Sequence, residues 1–328
     1  MDLAQDLCEG VRAGGLLAGE QPLLVMLSGG RDSTCLLDIA QRLLGPTRVS
    51  ALHVNYGLRA QADEDEQHCR ALCEGLEVAI EVVHAEPRTG AAPVGNLQAW
   101  ARDLRYQAAE RIARRQDALI AAGHTASDQV ETILYRLAAS PGRRALLGMA
   151  AREGRLVRPL LGISREQTAA YCRARGLSWR EDVSNQDETF ARTRVRHGLV
   201  PALRAVHPAA EANVLRTAAQ LREETELLEG LVSKELAGAK HIATARLREL
   251  PAALARLVVV RLAEEAGASY IPQAGTRVQE ILELAARGGR AELHVGGLVG
   301  AVIEGGELRM VKLAPRAGTL REQPPRED

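Results

Sequence analysis

Residues Ser28-Gly29-Gly30-Arg31-Asp32-Ser33 bring together, in six positions, the parts of an anion site. They follow the apolar run Leu23-Leu24-Val25-Met26-Leu27 and lead into a segment of helical spacing, 33–44, so the order is strand, glycine turn, helix. Gly29 and Gly30 are free to take φ > 0 and to bring backbone N–H groups close to a ligand. The helix that follows turns its positive dipole end toward the same point. Ser28 and Ser33 add hydroxyls. Asp32 is an acid in a place built for phosphate, which makes chemical sense if it holds Mg2+. The plain alternative is a strand-to-helix turn without a ligand. The pattern is neither of the two commonest nucleotide loops: no lysine follows Gly30 as in a P-loop, and G-x-G-x-x-G is absent.

Such a turn needs a sheet behind it. The spacing predicts a helix over 3–18, a strand at 23–27 with its helix at 33–44, and a second strand at 49–54. A helix over 63–76 opens on Asp63-Glu64-Asp65-Glu66, acids suited to a helix N-terminus. A strand at 78–84, a flexible Gly/Pro/Ala loop at 87–95 and a helix at 96–116 follow, then a buried strand at 118–122 and a helix at 127–138. A strand at 156–160, a helix at 164–175 and a polar turn over 179–185 continue the domain. Strands alternating with helices imply parallel βαβ units in a doubly wound α/β sheet, whose ligands bind past the carboxyl ends of the strands. The segments 28–33, 53–59 and 123–131 all fall on that edge. Beyond them, 209–236 reads as a long amphipathic helix and 242–313 as a smaller α/β unit. That unit has helices near 251–266 and 275–287 and strands near 291–295, 298–303 and 307–313. The expected organisation is a catalytic domain over 1–208, a helical linker over 209–240, a small C-terminal domain over 241–315 and a disordered tail over 316–328.

Composition bounds the function. The chain has 328 residues, no net charge and few aromatics: one Phe, two Trp and five Tyr. Charge is unevenly spread, with fourteen arginines against seven acids over 141–216, and a neutral chain with such a stretch can still bind nucleic acid. Solvated helix faces are the alternative. The five cysteines, at 8, 35, 69, 73 and 172, form no C-x-x-C pair, which argues against zinc, iron–sulfur and dithiol chemistry. No basic-then-apolar leader opens the sequence and no apolar run reaches membrane length, so the expected location is the cytoplasm, without membrane partners.

The loop S-G-G-x-D-S resembles the pyrophosphate loop of ATP-pyrophosphatases, the PP-loop enzymes with an adenine nucleotide alpha-hydrolase-like fold. Five further segments resemble tRNA(Ile)-lysidine synthetases within that group. His53-Val54-Asn55-Tyr56-Gly57-Leu58-Arg59 is similar to their H-V-N-H-G-L-R. Residues 96–106, with Asn96, Ala101, Arg102, Arg105 and Tyr106, are similar to N-x-E-x-x-A-R-x-x-R-Y. Gly123-His124-Thr125-Ala126-Ser127-Asp128-Gln129-Val130-Glu131-Thr132 resembles H-H-x-D-D-Q-x-E-T, with Thr125 in place of the second His and Ser127 in place of the first Asp. Arg158-Pro159-Leu160-Leu161 matches R-P-L-L. Trp179 to Asn185, with Phe190 to Arg196, matches W-x-E-D-x-S-N and F-x-R-N-x-x-R, Thr193 replacing the Asn. The resemblance covers about 20–210.

The resemblance implies a ligase. ATP adenylates the 2-oxygen of the wobble cytidine of an isoleucine tRNA with a CAU anticodon, and free L-lysine displaces AMP at that carbon. It implies ATP contacts from Ser28, Gly29, Gly30, Arg31, Asp32, Ser33, His53 and Asn55, with Mg2+ on Asp32 and Asp128. Catalytic roles fall to Asp32, Arg105, Asp128 and Glu131, and lysine binding to His124, Asp128 and Glu131. Asp128 and Glu131 are spaced i, i+3 at a helix start and share one face, so they can take an ammonium and its proton. An acidic first helix turn is the alternative. Arg59, Asn185, Arg192, Arg194 and Arg196 are the expected tRNA contacts, although the alternating arginines would not share one helix face. The expected partners are that tRNA, L-lysine and a second copy of the chain in a homodimer. The competing functions are another tRNA-directed PP-loop enzyme, such as a thiolase, and a non-catalytic nucleotide-binding protein associated with RNA.

Overall fold

The computed structural model describes residues 3–57, 61–85, 97–139, 142–180 and 191–314, and the side chain of Gln98 is likewise outside the description. They form two compact units, divided between Ala218 and Ala219.

The first unit is built on a sheet whose central strand is β1 (Leu23–Met26). It pairs in parallel with β2 (Val49–Asn55) on one side and β4 (Leu119–Ala121) on the other. The sheet runs β3-β2-β1-β4-β6-β5, with β3 at Ala79–His84, β5 at Arg152–Glu153 and β6 at Leu156–Val157. The strand order reverses between β2 and β4, which places the topological switch point at the end of β1. β5 pairs antiparallel with β6. This edge hairpin was not expected, because two-residue strands carry no readable periodicity. β6 is also shorter than the expected 156–160.

Alternation along β1 explains the layers. Leu23, Val25 and Leu27 face a core shared with α1 (Leu3–Ala13), α2 (Arg31–Leu44), α3 (Ala62–Gly75) and α6 (Arg165–Ala174). Leu24 and Met26 face a second core, with Leu52 and Val54 of β2 and Ala108, Ala109, Ile112 and Ala113 of α4 (Leu97–Gln116). Successive side chains of a strand point to opposite faces, so one apolar run feeds both layers. The small residues of α4 let that helix lie close to the sheet. α1 ends at Ala13, short of the expected residue 18, because Gly14 and a positive-φ Gly15 close it. After β4 come α5 (Ala126–Ala139), a 3₁₀ turn at Arg143–Leu147, α7 (Ala191–Arg194), a π turn at Val195–Leu199 and α8 (Val200–Val206). Val130 and Leu134 of α5 pack on Val200.

α9 (Ala210–Leu236) carries the division between units within its length. In the second unit β7 (His241–Ala243), β8 (Ala291–Gly296), β9 (Val299–Glu304) and β10 (Glu307–Lys312) form an antiparallel sheet in the order β7-β10-β9-β8. Gly305 and Gly306, at φ 59° and 80°, close β9 onto β10 in a two-residue hairpin whose central positions both need positive φ. α10 (Thr244–Glu249), α11 (Ala252–Gly267) and α12 (Val278–Arg287) complete the unit, whose core is centred on Val258, Val259 and Leu262. Among the described residues, no helix is long and apolar enough to cross a membrane.

Candidate active site

Loop 28–33 leaves the end of β1 and becomes α2. Gly29 has φ 80°, whereas Gly30 is extended at φ −73°, ψ 159° and acts as the N-cap. The expectation of positive φ therefore holds at Gly29 and not at Gly30, and α2 starts at Arg31, earlier than residue 33. A Cβ at Gly30 would lie 3.3 Å from Ser28 Oγ. The loop is closed by its own hydroxyls. Ser33 Oγ donates to Gly30 O at 2.9 Å, Ser28 N–H donates to Ser33 Oγ at 3.2 Å, and the two hydroxyl oxygens lie 3.0 Å apart. The first intrahelical bond runs from Thr34 N–H to Gly30 O at 3.0 Å. The N–H groups of Arg31, Asp32 and Ser33 consequently have no intrahelical acceptor, the arrangement an anion meets at a helix start.

The walls of the loop come from distant segments. Arg180 N–H donates to Gly29 O at 2.9 Å, and its guanidinium reaches Asp65 at 2.9 Å and Glu64 at 2.8 Å. The acids that open α3 thus anchor this wall. His53 is buried at the end of β2 with Nδ1 3.0 Å from Leu27 O and 3.3 Å from Cys69 Sγ, and burial holds its pKa below the usual value. The Asn55 amide donates to Asp63 and to Glu66, both at 3.0 Å, and accepts from Gly57 N–H at 2.9 Å. Its side chain is committed to the start of α3, which leaves backbone as the means of contacting a ligand there.

The second half of the site is the start of α5. Thr125 and Asp128 form a reciprocal cap. Thr125 donates its N–H and its hydroxyl to Asp128 Oδ2, each at 2.8 Å, and Asp128 N–H points back at Thr125 Oγ1 at 3.4 Å. Burial raises the Asp128 pKa, but the charges of Arg192 and Arg165 and the two bonds from Thr125 outweigh it and hold the carboxyl below its ordinary range. Glu131, with its side chain 3% exposed, lies on the same face. Arg165 Nη2 donates to Asp128 Oδ1 at 2.9 Å and Nη1 to Glu131 Oε1 at 3.1 Å. Arg192 Nε donates to Glu131 at 3.2 Å, and Arg196 grips Glu131 through Nε at 2.7 Å and Nη2 at 3.0 Å. The three alternating arginines do not share one face, but the outer two do: Arg192 and Arg196 stand four residues apart, and α7 runs into the π turn that carries Arg196. Arg194 lies half a turn from both by that spacing.

The two halves meet at Arg165. Its Nε lies 3.8 Å from Asp32 Oδ2, and Thr168, one turn along α6, places its hydroxyl 2.5 Å from Asp32 Oδ1. Among the described residues, no group of three His, Cys, Asp or Glu side chains is arranged to hold a metal. The two carboxylates expected to hold Mg2+ both approach one cation, the Arg165 guanidinium. His124 stands beside Asp128, and burial pushes its pKa down to about 4, so it is neutral; its Nδ1 is buried and has no partner among the described residues. Arg105 sits on α4 with its guanidinium 5.9 Å from the Tyr106 ring centre and its buried Nε likewise unpartnered among the described residues. No ion pair among the described residues joins Arg105 to Asp32, Asp128 or Glu131. Gln129 has a structural task, bonding both the N–H and the carbonyl of Met149. Arg59, Asn185, loop 87–95 and the tail over 316–328 lie outside the described residues.

Sequence reasoning missed Arg165, Thr168 and Thr125. Thr125-x-x-Asp128 had a readable signal, the capping pattern, and Ser164-x-x-Gln167 announces the helix that carries the other two. Nothing local marks Arg165 or Thr168 themselves.

The profile of the PP-loop domain family matches residues 5–203. A tRNA(Ile)-lysidine synthase from Pseudomonas fluorescens is 41% identical over 219 residues, covering 65% of this chain and 48% of that protein. One from Thermus thermophilus is 36% identical over 307 residues, covering 92% of this chain and 59% of that protein. The chain spans about half the length of the curated relatives it matches. A U34-tRNA thiolase from Methanococcus maripaludis shares the fold at a TM-score of 0.58 and 16% identity, covering 67% of this chain and 79% of that one.

Proposed function

The chain belongs to the PP-loop domain family, and on that premise we propose that it joins L-lysine to the C2 carbon of the wobble cytidine of an isoleucine tRNA with a CAU anticodon, converting ATP to AMP and pyrophosphate. The observation that carries this reading is the meeting of two unlike half-sites at one side chain. Asp32 of the phosphate loop and Asp128 of the carboxylate pair lie 3.8 and 2.9 Å from the same guanidinium. A phosphate cradle and a cation-binding pair so close together suit a reaction in which a nucleotide and an amine meet at one carbon. The names of the similar proteins from Pseudomonas fluorescens and Thermus thermophilus point the same way.

In this reading the N–H groups of Arg31, Asp32 and Ser33 hold the phosphates, and the hydroxyl-closed loop keeps them aimed before ATP arrives. Asp32 and Asp128 suit Mg2+ as hard oxygen donors that already converge on a cation, and the ion would neutralise phosphate charge. The lysine ε-ammonium, with a free pKa near about 10.4, must lose a proton before it attacks. Asp128 and Glu131 are the acids placed to meet that ammonium and to help remove its proton, and the ammonium competes there with the three arginines now on the pair. Neutral His124 offers a hydrogen bond at the amine. Arg105 offers its free Nε to the activated base or the phosphates. Arg59, Asn185 and Arg194 contact the tRNA, and Arg192 and Arg196 join them where the tRNA draws them off Asp128 and Glu131. We assign both chemical steps to 1–208 and tRNA binding to 241–315, with 209–240 as the linker. Cytoplasmic location and a homodimer belong to the same reading, and light scattering tests the second.

The test is labelled lysine incorporation into unmodified isoleucine tRNA with a CAU anticodon, in ATP and Mg2+, with a methionine tRNA of the same anticodon as control. Incorporation into the first alone supports the reading. AMP and pyrophosphate formation with another acceptor, and no lysine transfer, overturns it.

A further inference from the structure

We propose that the first turn of α6 is a positioning wall of the site, in which Arg165 ties Asp32 of the phosphate loop to the Asp128–Glu131 pair and Thr168 fixes the Asp32 carboxylate. The proposal rests on the reading above for the identity of the amine. Four observations support it. The turn is rigid, because Ser164 and Gln167 form a reciprocal capping box. It is stitched to α5 twice: Ala126 N–H donates to Ile163 O at 2.8 Å, and Arg165 N–H donates to Ser127 Oγ at 3.2 Å. Arg165 and Thr168 are three residues apart and share one face. Finally, Arg165 uses all three of its nitrogens on the site: Nη2 on Asp128, Nη1 on Glu131 and Nε toward Asp32.

A guanidinium suits this task and an ammonium does not. Its planar fork presents parallel N–H groups to two carboxylates at once, whereas an ammonium is a point charge. The contact with Asp32, at 3.8 Å, is one of charge more than of hydrogen-bond geometry. The Thr168 hydroxyl at 2.5 Å supplies the direction that this contact lacks. Without Arg165, Asp32 would keep Arg31 at 3.2 Å and the Asp128–Glu131 pair would keep Arg192 and Arg196, but the three carboxylates would lose the one cation they share. Ser127 enters here as well. It stands where the related motif has an acid, and its hydroxyl anchors the residue that carries the bridging cation.

The experiment compares Arg165→Met, Arg165→Lys and Thr168→Val in the full chain, reading pyrophosphate release from ATP and tRNA without lysine, the adenylation step, separately from KM for lysine in the complete reaction. Arg165→Met is expected to slow the adenylation step and to raise lysine KM, each about tenfold. Arg165→Lys restores the first, which needs charge, and not the second, which needs the fork. Thr168→Val slows the first and leaves lysine KM unmoved. A merely structural role would shift both readouts together in all three variants. Identical behaviour of Arg165→Lys and Arg165→Met overturns the proposal, as does a rise in lysine KM in Thr168→Val equal to its loss of pyrophosphate release. If Arg165→Met does not fold, the split between Arg165→Lys and Thr168→Val decides alone. If the wild type releases pyrophosphate with tRNA but transfers no lysine, the lysidine reading fails on its own, and the pyrophosphate readout of the three variants still decides the link to Asp32. If it releases no pyrophosphate, Mg·ATP affinity is read in its place.

Discussion

Gly123 lies against the backbone of Asp32: a Cβ there would stand 3.1 Å from the Asp32 carbonyl carbon and 3.1 Å from Ser33 N. The end of β4 thus touches the start of α2 across the switch point, with no room for a side chain. Contacts this short to backbone relax only if the loop itself moves by a few tenths of an ångström. Gly123→Ala is expected to weaken Mg·ATP binding at least tenfold and to cost ~1–3 kcal/mol of stability through overpacking. Titration calorimetry and urea unfolding check the two parts, and unchanged ATP affinity in a folded variant would contradict the loop-contact account.

Glu131 is the most enclosed acid of the site, with three arginines on it. Removing its charge leaves those guanidinium groups short of a partner in a partly buried place. Glu131→Gln is expected to lose about 2–4 kcal/mol of stability, because breaking a buried pair leaves uncompensated charge. It should also abolish lysine transfer, and AMP release with it, while adenylation of the tRNA, read as pyrophosphate release, persists, since the phosphate cradle does not include Glu131. Denaturant unfolding and single-turnover assays of the two steps separate these effects.

Thr125 occupies a position where the related motif has a histidine, and its contacts show what the change accomplishes. A threonine at an N-cap can satisfy a helix start and orient the N3 acid at once. Thr125→Ala should cost ~1 kcal/mol as a lost cap. It should raise lysine KM more than it lowers kcat, because Asp128 keeps its charge and loses its orientation. Thr125→Ser, which keeps the hydroxyl, is expected to restore KM.

The phosphate loop and the sheet behind it were legible because their signals are local. Five apolar residues in a row, two glycines and a helical repeat sit within about twenty positions, and each apolar residue of β1 has a layer to enter. The bridge between half-sites was not legible. Thr168 and Asp32 are 136 positions apart, and Arg165 reaches Asp128 across 37. Only the folded sheet, with α2, α5 and α6 beginning at one edge, brings them together. The arginines of 192–196 were legible in part. Spacing of two implied that the three do not share one face, and they do not, but nothing local showed that the outer pair, four residues apart and carried through a π turn, would both reach Glu131. The Asn55 amide was similarly opaque, since its partners depend on where α3 begins.

Cys69 and Cys73 lie one turn apart on α3, both buried, and burial pushes each thiol up to about 12. Thiolate is the reactive form, so at pH 8 only ~1 in 10,000 of either group is ionised, before any shielding by the fold. Neither should react with iodoacetamide in the native protein over an hour, and both should react within minutes in urea. Peptide mapping by mass spectrometry distinguishes them from the other three cysteines.

His124 gives the pH dependence a sign. Its folded pKa is about 4 against 6.5 in the unfolded chain, so between these values the unfolded chain binds a proton that the folded chain refuses. Stability contributed by the neutral ring is complete above pH 6.5 and is lost progressively as pH falls toward 4. His124→Gln, which keeps a polar group and cannot be charged, removes this dependence. The difference between wild type and variant in unfolding free energy should therefore change by ~1–3 kcal/mol across that window and stay flat from pH 7 to 9. Urea unfolding at half-unit steps of pH measures it. A constant difference across the window would mean that His124 binds its proton equally well in both states, and that the ring is wetter than its place beside Asp128 implies.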